Sequence, residues 1–246
     1  MHRFFVPAAA IREGQVEFNS EQSHQIARVL RLREGDDVAV LDNGGWIYDV
    51  GLTSIDSSHA RGAVRRRSLA PGEPRTKLTL FPALLKSDKL ELVLQKCTEL
   101  GVTAFAPVIT DRCNIGSISD DKRVRWERII AEAAEQSERG RLPQLHPVTM
   151  FASACEQARG LSLMAFERGD RPSLRSEMAA RGAGTGQRPF SINVFVGPEG
   201  GFTEGEVERA RAYGILPVSM GPRILRAETA SIVGAALVLA YAGELE

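Results

Sequence analysis

The amino-acid sequence predicts an α/β protein: a small β-barrel at the N-terminus, then a larger domain built on a parallel sheet with helices on both faces. Three observations lead there. From Leu78 onward, short β-branched runs alternate with helical patterns, an order that calls for parallel strands joined by crossover helices. Before that point, strand signals flank an Asn43-Gly44-Gly45 turn and read as antiparallel β structure. Between the two, Leu69 to Arg75 (LAPGEPR) has a linker composition, which divides the chain into domains at 1–72 and 73–246.

Taken in order, the first domain offers a helix over Glu21 to Leu32 and strands over Asp37 to Leu41, Trp46 to Leu52 and Ala60 to Val64. The second offers strand Leu78 to Pro82, helix Asp88 to Leu100, strand Thr103 to Val108, helix Asp121 to Glu138, strand Leu161 to Phe166 and helix Ser173 to Arg181. Gly182 to Pro189 is glycine-rich and reads as a loop. Trp126, Ile129, Ile130 and Ala133 fall on one helical face and read as core.

Two strand–loop–helix units close the chain. Ile192 to Val196 is a buried-strand signal; Gly197, Gly200 and Gly201 then allow unusual dihedrals and close approach to a ligand. Thr203 and Glu206 form a capping box for the helix that follows, and Gly214 ends it. The next strand ends in Ser219-Met220-Gly221, and Pro222 to Thr229 carries Arg223, Arg226 and Glu228 into an apolar helix, Ile232 to Tyr241. Strand, loop and helix N-terminus meet at the carboxyl edge of a sheet, where open α/β folds bind ligands.

Several chemistries are disfavoured. The G-P-E-G-G spacing is not the dinucleotide fingerprint, and neither a phosphate-binding P-loop nor a G-x-S-x-G nucleophile elbow occurs. What remains is a pocket of backbone groups with one carboxylate, Glu199, and two arginines, Arg223 and Arg226.

Composition agrees with an ordinary globular protein: 246 residues, 43% hydrophobic and 25% charged. The apolar run Ile232 to Ala242 is too short to span a bilayer, so no membrane association is expected. Cys97, Cys113 and Cys155 form an odd set without C-x-x-C spacing, which suits a reducing, cytoplasmic compartment. His2, His24, His59 and His146 are too dispersed to suggest a metal site, and none is expected.

The formal net charge is zero, so any nucleic-acid footprint must lie in how the charges are distributed. Basic residues cluster at Arg28, Arg31 and Arg33 and again at Arg61, Arg65, Arg66 and Arg67, where one face could bind phosphates; a solvated surface with scattered ion pairs fits the same pattern. Lys86, Lys89 and Lys96, with Arg112, Arg139 and Arg141, read individually as solvent-facing partners of Glu91, Glu99 and Glu135.

GPEGGFT (Gly197 to Thr203) and GPRILRAETA (Gly221 to Ala230), with KSDKLELVLQKCTELGV (Lys86 to Val102) and RWERIIAEAAEQSERGRLP (Arg125 to Pro143), resemble the ribosomal RNA small subunit methyltransferase E family. MHRFFV (Met1 to Val6) and HQIARVLRLREGD (His24 to Asp36) match its opening, so the resemblance covers nearly the whole chain. Two departures are visible: Ala227 stands where threonine is more usual, and Pro222 follows Gly221.

The resemblance implies a knotted SPOUT-type methyltransferase domain preceded by a PUA-like RNA-binding barrel, paired as a homodimer through the knot region. The implied activity is S-adenosylmethionine-dependent methylation of N3 of a uridine in 16S ribosomal RNA within the small ribosomal subunit. It further implies cofactor contacts at Phe166, Gly197, Gly201, Met220, Gly221, Ile224, Leu225, Arg226 and Ala227. Arg226 is the first candidate for stabilising the reacting base, Arg223 the second, and Glu199 could accept a proton or orient the cofactor. RNA contacts are expected at Arg3, Arg28, Arg31, Arg33, Arg65 and Arg66. Two alternatives stay open: a SPOUT enzyme acting on transfer RNA or ribose 2′-hydroxyls, and a non-catalytic RNA-binding ribosome assembly factor.

Overall fold

The computed structural model describes residues 1–86, 88–114, 116–169, 171–182 and 189–245, so the loop expected from Gly182 to Pro189 lies outside the described residues over 183–188. The chain forms two compact units. One comprises Met1–Glu73 with Ala134–Leu142, the other Pro74–Ala133 with Pro143–Glu246.

The first unit contains β1 (Arg3–Phe5), β2 (Ile11–Arg12), β3 (Gln15–Phe18), α1 (Ser20–His24), β4 (Asp37–Leu41), β5 (Trp46–Ile55) and β6 (Ala60–Leu69). They make one six-stranded sheet in the order β1-β4-β5-β6-β3-β2, antiparallel except for the β1–β4 pair. Its end strands, β1 and β2, do not pair with each other, so hydrogen bonds do not close the sheet into the expected barrel. Alternating apolar residues fill its core: Phe4, Val16, Phe18, Val38, Val40, Val50 and Leu52, with Ile26 from the helical segment.

Two expected elements differ here. The helix foreseen over Glu21 to Leu32 is α1, capped by Asn19, followed by a π-helical turn over Gln25–Val29. Arg31 then takes a left-handed φ of 55°, a conformation that ends helices. Strand β6 runs five residues past Val64, through the arginine cluster. Its distal half is exposed, and pairing with β5, Tyr48 opposite Arg67 and Trp46 opposite Leu69, holds it in place of burial.

Ala134–Leu142 joins this unit through buried charge. The Glu73 carboxylate accepts hydrogen bonds from the Arg139 guanidinium at 3.0 Å and from the backbone N–H groups of Gly140 and Arg141 at 3.0 and 3.2 Å. Arg139 is 5% exposed, so this pairing satisfies a charge that would otherwise be expensive to bury.

The second unit runs β7 (Lys77–Pro82), α2 (Lys89–Leu100), β8 (Ala104–Phe105), β9 (Val108–Ile109), α3 (Asp120–Gln136), β10 (Gln144–Leu145), β11 (Thr149–Met150) and α4 (Phe151–Gln157). It continues with β12 (Leu161–Ala165), α5 (Leu174–Gly182), β13 (Ser191–Val196), α6 (Glu204–Ala212), β14 (Leu216–Val218) and α7 (Ala227–Tyr241). The last residues of α3 count with the first unit.

Every pairing in its main sheet, ordered β10-β8-β7-β13-β12-β14, is parallel, as the alternation of strand and helix signals requires. The single strand expected over Thr103 to Val108 divides at Pro107, which has no N–H to donate; β8 pairs with β7, and β9 pairs with β11.

Both faces of this sheet are covered. On one, Leu78, Leu80, Ile192 and Val194 pack in a core with Leu90, Val93, Leu94 and Cys97 of α2 and with Ala235, Val238 and Leu239 of α7. On the other, Phe81, Met164 and Phe195 pack with Phe151 of α4 and Val207 of α6. The stripe in α2 has the spacing of a single buried helix face, and Gly101 ends the helix at φ 110°.

Candidate functional site

Three parallel strands, β12, β13 and β14, release their chains at the same edge of the sheet. After β13 the chain turns through Gly197 to Gly201. Gly201 sits at φ 68° and donates its N–H to the Pro198 carbonyl at 2.9 Å. A side chain at Gly197 would begin 3.1 Å from the Phe202 ring, a tight contact that would require the ring to shift. Thr203 then caps α6 in a full capping box with Glu206, whose carboxylate also accepts the Asp111 N–H at 2.9 Å.

The loop after β14 is fixed at its root and open further on. Ser219 bonds both ways to the 172–174 segment: its N–H donates to the Pro172 carbonyl, and its carbonyl accepts from the Leu174 N–H. Gly221 takes φ 125°, and the chain stays irregular until Arg226, the residue preceding α7. The third wall follows β12, where the Phe166 N–H donates to the Val218 carbonyl at 3.0 Å. These walls enclose a cavity of about 380 Å³.

All the residues expected to contact a cofactor line this cavity: Phe166, Gly197, Gly201, Met220, Gly221, Ile224, Leu225, Arg226 and Ala227. Arg223, Arg226 and Glu199 line it too. Arg223 and Arg226 are exposed, and neither is ion-paired among the described residues, so both guanidinium groups are free to meet an anion.

Glu199 has a partner. Burial works to raise its carboxyl, but hydrogen bonds from the backbone N–H groups of Glu199 and Lys86 and from the Lys89 ammonium outweigh burial and hold it below the ordinary carboxylate value. A carboxylate held ionised in this way is a weak base and a firm electrostatic anchor.

Sequence reasoning assigned Lys89 and Arg112 to the solvated surface, yet both serve this site. Lys89 lines the cavity and pairs with Glu199 at 3.0 Å, while Glu91, its expected class of partner, pairs with Arg125 at 2.7 Å. Arg112 donates to the carbonyl oxygens of Gly200 and Phe202 at 2.7 and 3.3 Å. Glu167 also lines the cavity. The available signal for Lys89 was a cation in the first turn of a helix, where acidic residues are favoured.

In the first unit the arginines divide into two groups. Arg65 pairs with Asp37 and Arg66 with Asp49, each at 2.8 Å, and Arg67 lies over the Trp46 ring at 3.8 Å. Arg3 turns inward, 12% exposed and 2.7 Å from Glu138, so its charge is engaged within the unit. Arg28, Arg31 and Arg33 are exposed and carry no ion pair among the described residues.

Among the described residues, no group of three or more His, Cys, Asp or Glu side chains could hold a metal ion, and no helix is long and apolar enough to cross a membrane.

Comparison with known proteins gives this architecture a class. Residues 72–239 match the model of the RNA methyltransferase domain. Two curated relatives carry the name ribosomal RNA small subunit methyltransferase E. The protein from Synechocystis is 37% identical over 240 residues, 96% of this chain and 77% of that protein. The one from Bacillus subtilis is 32% identical over 259 residues, covering 100% of this chain and 98% of its own. The chain belongs to the ribosomal RNA small subunit methyltransferase E family.

Two solved structures are also similar. The Neisseria gonorrhoeae member, solved bound to S-adenosyl methionine, superposes with a TM-score of 0.85 at 28% identity over 98% of this chain and 97% of its own. A Legionella pneumophila protein in complex with SAM gives 0.86 at 26% identity over 97% and 96%.

Proposed function

We propose that this protein transfers the methyl group of S-adenosylmethionine to N3 of a uridine in the 16S ribosomal RNA of the small subunit, working in the cytoplasm as a homodimer. The observation that carries the reading is the cavity at the ends of β12, β13 and β14, in a family whose Neisseria gonorrhoeae member was solved with S-adenosyl methionine bound.

The cavity fits such a cofactor. Its volume suits a small ligand, its walls include the glycine loops at Gly197 and Gly221, and Phe166 adds a 3%-exposed aromatic side chain. Phe166, Gly197 and Met220 to Ala227 would hold the adenosyl portion. When bound, the cofactor supplies a methyl group already activated on a sulfonium, so no covalent enzyme intermediate is required.

In the reaction the uridine imide would lose its N3 proton to solvent water, and the N3–C bond would form as the donor's S–C bond breaks, leaving a neutral thioether. Negative charge gathers on the base as the proton leaves. Arg226, at the entrance to α7 and without an ion pair among the described residues, is the first candidate to stabilise it, and Arg223 the second. Glu199, held ionised by its hydrogen bonds, orients the bound cofactor more readily than it removes a proton.

The finer architecture belongs to the same proposal. The insertion of β13 between β7 and β12, and the two glycine loops that follow β13 and β14, support a trefoil knot. The six-stranded N-terminal sheet supports a PUA-like RNA-binding domain, with Arg28, Arg31 and Arg33 as its freest cations. Ile232, Val233, Ala236 and Leu237 of α7 remain only partly covered, a face suited to a second copy of the chain.

The test is calorimetry with S-adenosylhomocysteine, the demethylated product. One site per chain is expected, with binding lost in Gly221→Trp and retained in Arg31→Ala; a wild type that does not bind at millimolar ligand would end the reading. Light scattering should give twice the 26.8 kDa chain mass, and an active monomer would remove the dimer.

A further inference from the structure

Helix α2 begins with a lysine at the end where the helix dipole is positive, an unfavourable position for an ammonium group. Two carboxylates offset that cost, Glu199 from the cavity wall and Glu228 from the first turn of α7. Lys89 Nζ is 3.0 Å from Glu199 Oε1 in the first loop and 4.0 Å from Glu228 Oε2 in the first turn of α7.

The two partners are not equivalent. Glu199, with its side chain 32% exposed, receives a full hydrogen bond from Lys89 and lines the cavity. Glu228, 13% exposed, keeps Oε2 buried with no hydrogen bond among the described residues. A buried carboxylate oxygen without a donor is costly, and the nearest cation stands just beyond bonding range. An ammonium has three donors on a flexible stem, and a movement of about 1 Å would bring it into hydrogen-bond range of Glu228.

We propose that Lys89 is a positioning residue that exchanges carboxylates: it neutralises Glu199 in the ligand-free protein and moves to Glu228 when the sulfonium of the methyl donor brings its own positive charge to Glu199. The inference rests on the methyltransferase reading given above. Glu228 is thus a prepared second seat for the lysine, and its unsatisfied oxygen is the mark of that role. Once the methyl group has left, the ligand's sulfur is neutral, Lys89 returns to Glu199, and the product loses its electrostatic hold.

The exchange has a signature in two variants with opposite signs. Calorimetry at one neutral pH would compare S-adenosylmethionine with S-adenosylhomocysteine, which differ at the sulfur by the methyl group and its positive charge. Lys89→Met removes the competing cation, so the preference for the sulfonium form should rise about fivefold. Glu228→Gln leaves the lysine without a charged second seat, so the same preference should fall about fivefold. Lys89→Arg should restore most of the wild-type ratio, and in Glu199→Gln the ratio should no longer respond to either change.

A purely structural role would weaken both ligands alike. Ratios that stay constant, or that move in the same direction in Lys89→Met and Glu228→Gln, would overturn the exchange while leaving the methyltransferase reading intact. A wild type that binds neither ligand would overturn both.

Discussion

The Arg112 guanidinium donates a 2.7 Å hydrogen bond to the carbonyl oxygen of Gly200, tying the segment after β9 to the loop after β13. Besides the Lys89–Glu199 pair, the loop has few side chains to anchor it, because Gly197, Gly200 and Gly201 have none. Gly200 packs on the aliphatic part of the same arginine, where a Cβ would come within 3.2 Å of Arg112 Cδ. Replacing Arg112 by alanine should therefore loosen the loop and weaken S-adenosylhomocysteine binding about tenfold, the scale of one hydrogen bond to a charged group. Calorimetry on Arg112→Ala checks this, and unchanged affinity would separate Arg112 from the site.

Glu244 clamps the end of the chain to the start of β7. Its carboxylate accepts the Thr76 N–H at 2.8 Å and the Arg75 N–H at 3.1 Å. Burial acts to raise its pKa, but these hydrogen bonds prevail and hold it below the ordinary carboxylate value. A carboxyl depressed in the folded state contributes stability that is present above its unfolded pKa and disappears as pH falls through the folded value. Glu244→Gln should thus cost about 1 kcal/mol at neutral pH and progressively less below about pH 4. Urea denaturation of both proteins at the two pH values measures it, and a deficit independent of pH would contradict the assignment.

The two arginine groups of the first unit should behave differently toward RNA. Among the described residues Arg31 and Arg33 have no carboxylate to release, whereas Arg65 and Arg66 must give up Asp37 and Asp49. Arg31→Ala with Arg33→Ala is expected to lower the slope of log affinity against log salt by about 1.5. Arg65→Ala with Arg66→Ala should lower it by less. Filter binding of 16S ribosomal RNA across a salt series distinguishes them, and equal slopes in all three proteins would return these residues to an ordinary solvated surface.

Local chemistry was legible where it acts alone. The β-branched run ending at Val196, the Thr203–Glu206 capping box and the stripe of α2 are signals contained within a few residues, and each element formed within about two residues of its expected bounds. Elements fixed by partners distant in sequence were not. The end of β6 depends on cross-strand pairing with β5, Ala134–Leu142 joins the first unit through Glu73, and the brief β10, β11 and α4 carry too little periodicity to register.

The same division holds at the site. Its glycines and arginines stood out because their spacing was unusual, and the cavity gathers them. Lys89 did not stand out. In the sequence it read as one of several solvent-facing partners of Glu91, Glu99 and Glu135, and only the folded chain brings it to Glu199 and Glu228.

The central claim is tested most directly by incubating the protein with tritium-methyl-labelled S-adenosylmethionine and small ribosomal subunits from cells lacking this methylation, followed by nucleoside analysis. Label is expected in 16S ribosomal RNA alone, recovered as N3-methyluridine, and lost in Arg226→Ala. Label recovered on a ribose 2′-oxygen or on transfer RNA, or no label from a wild type that binds the cofactor, would contradict it.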